Sequence, residues 1–97
     1  MWAVAITIKE LTMYTFHTDP RHGWLEVGLQ ELHDLGIYDQ ITAYSYVKGD
    51  RAYLEEDCDA GTFIRALKAQ GQDFQYNTVN TNNDHWICHC RRFPQAA

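Results

Sequence analysis

The chain has 97 residues, 45% of them hydrophobic and 13% aromatic, which is enough for one domain with a modest core and excludes disorder by composition. Thirteen acidic residues outnumber eight basic ones and give a formal net charge of −5, so direct binding to nucleic acid is not expected. An acidic surface of this kind is compatible with a basic protein partner.

The cysteines and the N-terminal residues bear on the compartment. An odd number of cysteines, with Cys88 and Cys90 separated by one residue and Cys58 distant in sequence, is a poor disulfide framework and indicates a reducing compartment. The first eight residues are largely apolar, but the stretch is short, has no basic n-region and is followed by Lys9 and Glu10, so it resembles neither a signal peptide nor a membrane span. We expect a cytoplasmic protein without membrane association.

Several short stretches alternate between apolar and polar residues, or are rich in β-branched and aromatic side chains, as is typical of strands. Residues 2–8 predict a strand-like arm, and residues 1–12 are equally compatible with an N-terminal extension. The predicted strand over residues 12–17 is expected to end at Asp19-Pro20, because proline lacks the backbone N–H that a sheet requires. Six strands are predicted within the domain, over residues 12–17, 24–27, 41–47, 51–55, 73–79 and 85–90.

Two stretches predict helices. Residues 28–35 place leucines three apart and precede Gly36, a residue suited to ending a helix. The second helix is capped by Asp57 or Asp59, carries an apolar stripe and ends at Gly71. The order is therefore ββα-ββα-ββ, which predicts an α+β fold with an antiparallel sheet and both helices on one face.

His17, Asp19 and His22 lie close together where a predicted strand meets its turn. Imidazole and carboxylate groups can hold zinc while leaving one position open for a water molecule that the metal activates. The spacing His-x-Asp-x-x-His is not a specific zinc signature, however, and Asp19 can cap the turn through its own side chain. A structural role is the preferred interpretation, and a zinc site is the alternative.

A second group of potential metal ligands, His85, Cys88, His89 and Cys90, lies near the C-terminus. Thiolate and imidazole suit zinc, but the spacing matches neither a zinc finger nor a zinc ribbon. Along a strand, Cys88 and Cys90 would share a face and His89 would point away. The sequence leaves open whether this group meets the first one in space.

The densest run of charge is Glu55, Glu56 and Asp57, followed by Asp59. Acidic residues stabilise a helix N-terminus by about 0.3–1 kcal/mol each, so a solvated helix cap explains them. The alternative is contact with lysines or arginines of a partner. Cys58 lies within this run, and its acidic neighbours oppose thiolate formation, so we expect it to pack at the helix start and not to act as a nucleophile.

Four segments carry a resemblance to a family of small uncharacterised proteins of bacteria, phages and plasmids. They are Thr-Phe-His-Thr-Asp-Pro-Arg-His-Gly-Trp-Leu-Glu-Val (15–27), Leu-Gly-Ile-Tyr-Asp-Gln-Ile (35–41), Tyr-Ser-Tyr (44–46) with Gly-Asp (49–50), and Tyr-Leu-Glu-Glu-Asp-Cys-Asp (53–59). The similarity covers about residues 13–84. It implies no established activity, but the association with mobile elements implies interaction with host components, for example inhibition of a defence system such as CRISPR. The family often has glycine in place of Arg21 and tends to lack the Cys88–Cys90 run and the first dozen residues, which weakens a C-terminal metal site.

Two functional hypotheses follow. The first is a non-enzymatic protein that binds a basic surface of a larger protein, because tyrosine and tryptophan are common anchors of such contacts. Its predicted contact residues are Trp24, Tyr44, Tyr46, Tyr53, Glu55, Glu56, Asp57 and Asp59.

The second hypothesis is a small metal-dependent hydrolase. Its ligands would be His17, Asp19 and His22, with Glu26 or Asp34 as the general base. A chain of this length rarely builds a deep pocket, so we prefer binding to catalysis and expect no cofactor, with zinc as the alternative. Exchange of the N-terminal arm between subunits would in addition make a homodimer.

Overall fold

The computed structural model describes residues 12–83 and 85–94, so the predicted arm over residues 2–8 lies outside the described part of the chain. The strands are β1 (Met13–Thr18), β2 (Gly23–Gly28), β3 (Tyr46–Lys48), β4 (Arg51–Glu55), β5 (Gln75–Asn80) and β6 (Arg91–Arg92). The helices are α1 (Leu29–Asp34) and α2 (Asp59–Ala69), and two 3₁₀ helices cover Tyr38–Gln40 and Trp86–His89. Among the described residues, no helix combines the length and the apolar character needed to cross a membrane.

The six strands form one mixed sheet in the order β5-β1-β2-β4-β3-β6. Every neighbouring pair is antiparallel except β1 and β5, which are parallel. The fold is therefore α+β, but the prediction of a purely antiparallel sheet is wrong. The reason is that α2 returns the chain to the end of the sheet where β4 began, so β5 must run in the same direction as β4 and hence as β1.

The main core lies between one face of the sheet and the two helices. Alternate residues of the central strands, Leu25 and Val27 in β2 and Ala52 and Leu54 in β4, are each 0% exposed. They belong to one cluster with α1 and α2, to which the helices contribute Leu32, Ala60, Phe63 and Leu67. Both helices thus pack on the same face of the sheet, and their apolar stripes are what hold them there.

The opposite face of the sheet is also covered. Trp24 and Tyr53, the residues that alternate with the core positions of β2 and β4, form a second cluster with Ile87. Ile87 lies in the 3₁₀ helix, so the prediction of a strand over residues 85–90 is wrong. The side chain of His85 accepts a hydrogen bond from the backbone N–H of Ile87 at 3.1 Å, which fixes this turn and directs Ile87 onto the sheet.

The strand predicted over residues 41–47 is reduced to β3, because residues 42–45 form a turn that a buried carboxylate holds. Asp59 Oδ2 accepts hydrogen bonds from the backbone N–H of Thr42 (3.0 Å), from the Thr42 hydroxyl (2.8 Å) and from the Ser45 hydroxyl (2.5 Å). The side-chain oxygen of Ser45 in turn accepts from the backbone N–H of Glu55 at 3.0 Å. Asp59 therefore joins the start of α2 to the turn before β3, and Cys58 takes the N-cap position.

We expect replacement of Asp59 by alanine to lower the free energy of unfolding by about 2–4 kcal/mol, because buried donors lose their acceptor. Asp59→Asn keeps one acceptor oxygen and should cost less than half as much. Denaturation by urea provides the measurement, with Asp73→Ala, an exposed position, as the control. Equal losses for Asp59→Ala and Asp73→Ala would contradict the structural role of Asp59.

Candidate functional site

The turn between β1 and β2 is organised by Asp19. One of its oxygens, Oδ1, accepts hydrogen bonds from the backbone N–H groups of Arg21 (2.9 Å) and His22 (2.7 Å), and its own N–H donates to the carbonyl of His22 at 2.9 Å. Pro20 occupies the outer part of the turn, where no N–H is needed. Asp19 therefore caps this turn, and its side chain is only 1% exposed.

The C-terminal segment reaches the same carboxylate. Asp19 Oδ2 lies 3.3 Å from the backbone nitrogen of His85 and 3.9 Å from Cys88 Sγ, while Oδ1 lies 3.3 Å from His22 Nδ1. Ligand atoms of Asp19, His22 and Cys88 all lie within 4.8 Å of one another. The two groups that the sequence presented separately thus meet in space: Cys88 and the backbone of His85 lie beside Asp19, and ligand atoms of Asp19, His22 and Cys88 lie close together.

The side chain of His17 contacts Glu26 and not the carboxylate of Asp19. Its Nε2 lies 2.8 Å from Glu26 Oε1, a diagonal neighbour on β2, and Glu26 Oε2 accepts from Arg51 Nε at 2.9 Å. The His17 ring also lies 4.9 Å from the ring of His85, measured between centroids. The predicted ligand set of His17, Asp19 and His22 is therefore not brought together, because His17 faces its cross-strand partner while Asp19 lies beyond the end of the strand.

Ionisation follows from these contacts. Burial alone would raise the pKa of Asp19, but the backbone N–H groups of Arg21, His85 and His22 outweigh it and hold the pKa below its usual value. Burial would likewise raise the pKa of Glu26, but His17 and Arg51 hold it below 4.5. Both carboxylates are thus ionised at neutral pH, and each already has donors that fix its orientation.

Cys58 does not have the properties of a nucleophile. Burial raises the pKa of its thiol above 9.0, and the neighbouring charges of Asp59 and Glu55 raise it further. The thiol form therefore predominates at neutral pH, which agrees with the expectation that Cys58 is not a nucleophile. The expected packing at the helix start is wrong, because Cys58 is exposed.

A second group of residues lies at the same end of the sheet as the β1–β2 turn. We call it the acidic corner, and it consists of Tyr44, Glu55, Glu56 and Asp57. The backbone N–H of Glu56 donates to the carbonyl of Gly23 at 3.0 Å, and that of Asp57 donates to Glu55 Oε2 at 3.0 Å. Tyr44 is 67% exposed. Burial and the charges of Asp57 and Glu55 raise the pKa of Glu56, whereas His22 opposes the rise, so the corner lies within electrostatic reach of the β1–β2 turn.

Gly23 allows the β1–β2 turn to approach the corner. A Cβ atom at this position would come within 2.6 Å of Glu56 Oε2 and 2.7 Å of the Phe16 ring. Such distances require a neighbour to move. The absence of a side chain at Gly23 is thus what lets the two turns lie in contact.

Three of the predicted contact residues present almost no surface. Trp24 is 2% exposed, Tyr53 is 4% exposed and Asp59 is 0% exposed, because the first two support Ile87 and the third supports the turn before β3. The prediction that these three residues contact a partner directly is therefore corrected: their side chains have a structural role. Tyr46 is half-buried, and the guanidinium of Arg92 lies 5.0 Å from its ring centroid.

We expect the link between Glu26 and its two partners to appear in the pH dependence of stability. Because folding lowers the pKa of Glu26 from 4.5, its contribution to the free energy of unfolding is complete above that pH and is lost as the pH falls through the lower, folded value. Glu26→Gln should therefore make the acid-induced loss of stability shallower, as measured by urea denaturation at several pH values. Glu56→Gln is the matched control with the opposite sign, because folding raises the pKa of Glu56. Identical pH profiles for wild type and Glu26→Gln would contradict the assignment.

Two depressions in the described surface are open to solvent. One is lined by Tyr44 and Arg92 together with residues of the turn before β3, and another by Lys48, Trp86 and Arg91. This shape suits contact with a larger molecule better than enclosure of a small one.

We find no match between this chain and the models of protein families, the curated proteins or the solved structures with which it was compared.

Proposed function

We propose that the protein is a non-enzymatic binding protein that engages a basic surface of a larger protein through the acidic corner. The observation that carries the proposal is that three carboxylates, Glu55, Glu56 and Asp57, and an exposed tyrosine, Tyr44, belong to two turns at one end of the sheet. A hydrogen bond from the Glu55 backbone to the Ser45 side chain joins the two turns. An aromatic side chain next to carboxylates offers both an anchor and complementary charge to lysines and arginines.

The corner is held in place before any partner arrives. The turn that carries Tyr44 is tied to Asp59 through Thr42 and Ser45, and Ser45 accepts from the backbone of Glu55. These bonds are buried or partly buried, so water competes little with them and they hold the two turns against each other. A preorganised surface of this kind loses less conformational entropy on binding than a mobile loop does.

The electrostatics of the corner favour a cationic partner. Burial, and after it repulsion from the carboxylates of Asp57 and Glu55, raises the pKa of Glu56, while His22 opposes the rise, so these charges are only partly neutralised within the chain. A lysine or arginine from a partner would relieve that repulsion. The formal net charge of −5 acts in the same direction over longer distances and would speed association at low ionic strength.

Affinity capture from a bacterial lysate with quantitative mass spectrometry tests the proposal. We expect wild type to retain at least one protein about tenfold more strongly than a variant in which the corner is neutralised, and salt above about 0.5 M should weaken that retention. The corner variant combines Tyr44→Ala, Glu55→Gln, Glu56→Gln and Asp57→Asn.

The control variant removes the same charge and one exposed tyrosine from other parts of the surface. It combines Asp34→Asn, Asp39→Asn, Asp73→Asn and Tyr76→Ala, all exposed positions. Capture that is equally weakened in both variants, unaffected by salt, or absent in wild type would count against the acidic corner as the contact surface.

A narrower version of the proposal names the partner as a bacterial defence complex whose positively charged channel holds nucleic acid, as in CRISPR effectors. It is supported by the resemblance to proteins of phages and plasmids and by the negative charge of the corner. In cells with active CRISPR interference against a plasmid, we expect expression of wild type and of the control variant, but not of the corner variant, to restore plasmid recovery. Unchanged recovery with wild type would rule out inhibition of the system under test.

The alternative of a metal-dependent hydrolase has less support in the geometry. Glu26, one candidate base, is shared between His17 and Arg51, and Asp34, the other, accepts a hydrogen bond from Gln30 at 2.9 Å. Neither carboxylate is positioned by its contacts to activate a water molecule beside Asp19 and His22.

A further inference from the structure

We propose that Asp19, His22 and Cys88 form a zinc-binding site that joins the β1–β2 turn to the C-terminal segment. The three residues supply a carboxylate oxygen, an imidazole nitrogen and a sulfur, and these ligand atoms lie within 4.8 Å of one another. Zinc bonds of about 2.0–2.3 Å in tetrahedral geometry place ligand atoms roughly 3.5 Å apart, so closure around an ion requires only small side-chain adjustments.

The ligand types select the metal. A thiolate and an imidazole together are typical of zinc and other borderline or soft ions, whereas magnesium and calcium require oxygen ligands. Asp19 and His22 form a local pair separated by two residues, and Cys88 comes from a remote part of the chain. Three protein ligands leave the fourth position to solvent or to an external ligand.

Hydrogen bonds hold the Asp19 carboxylate in an orientation that suits metal binding. Asp19 Oδ1 accepts two backbone hydrogen bonds at 2.9 and 2.7 Å, which fix the plane of the group. The contacts of Oδ2 are long by comparison, 3.3 Å to the nitrogen of His85 and 3.9 Å to Cys88 Sγ, so this oxygen can still form a short bond to a cation. Hydrogen bonds that orient a ligand carboxylate are a regular feature of metal sites.

The imidazole is also held, yet it can be reached. The ring of His22 stacks on Trp24 with centroids 5.3 Å apart and planes 27° apart, while its side chain is 51% exposed. The site therefore lies where solvent can deliver an ion. The nearby carboxylates of the acidic corner raise the local concentration of cations, since Glu56 and His22 already interact electrostatically.

Binding exchanges protons for the metal. The thiol proton of Cys88 leaves to solvent as the sulfur bonds to zinc, and His22 must be neutral at the ligand nitrogen, so affinity falls as the pH is lowered. Zinc releases bound water molecules as it takes up the three protein ligands, any proton on the ligand nitrogen of His22 also leaves to solvent, and no oxidation state changes. The product is a link between two segments that lie 66 residues apart in sequence, from His22 to Cys88.

Cobalt substitution provides the test, with full-length protein purified without a histidine tag. One equivalent of Co²⁺ should produce a sulfur-to-cobalt charge-transfer band and visible bands of tetrahedral cobalt, and zinc should displace both. Cys88→Ser should abolish the charge-transfer band, whereas Cys90→Ser and Cys58→Ser should retain it. A band that is missing in wild type, unchanged in Cys88→Ser or lost in Cys90→Ser would overturn the proposal.

His22→Gln gives an independent arm, because an exposed side chain can be changed without threatening the fold. Loss of a direct ligand should lower zinc affinity, measured by competition with a chromogenic chelator, by more than the roughly 10–100-fold that loss of an outer-shell partner costs. His33→Gln, also exposed, is the matched control and should leave affinity unchanged. Equal zinc affinity in wild type and His22→Gln would exclude His22 as a ligand and with it the site as proposed.

Hydrogen exchange gives a further measurement. Zinc should slow amide hydrogen exchange in residues 85–93 of wild type and should not do so in His22→Gln.

Discussion

The structure depends on covering both faces of β2 and β4. Successive residues of these strands point to opposite faces, and in each strand both neighbours are buried: Trp24 at 2% and Leu25 at 0%, Tyr53 at 4% and Leu54 at 0%. The two helices cover one face, and they leave an aromatic surface on the other that the chain must also remove from water. The segment around Ile87 meets that requirement, and in doing so it carries Cys88 and His85 to the turn that Asp19 organises. The geometry of the candidate site is thus a consequence of hydrophobic cover.

Local patterns were sufficient for much of the fold. The alternation in β1, β2 and β4 and the apolar stripe of α2 are short-range signals, and these elements lie within about two residues of where they were predicted. The failures have long-range causes. Residues 42–45 resemble a strand, but a carboxylate in another element, Asp59, holds them in a turn. The parallel pairing of β5 is likewise a matter of how α2 crosses the sheet, which no local pattern encodes.

The candidate site was predictable in part. The residue types pointed to the turn between β1 and β2, and the polar cap of Asp19 follows from an Asp-Pro turn. Sequence spacing misassigned His17, because its partner Glu26 lies across the hairpin, and it gave no signal that Cys88 belongs with Asp19. The same limit applied to Trp24: an aromatic residue beside a turn suits a contact surface as well as a second core, and only the packing distinguishes them.

The close approach at Gly23 bears on how this surface can vary among related chains. The φ angle of Gly23 is not positive, so backbone conformation does not require glycine there, and the restriction comes from the volume that Glu56 and Phe16 occupy. The side chains at positions 16, 23 and 56 compete for the same volume. A larger residue at 23 is accommodated when the residues at 16 and 56 become smaller or turn away, so the amino acids at these three positions should covary among natural homologues. Whether position 56 can carry a charged side chain therefore depends on the size of the residues at 16 and 23.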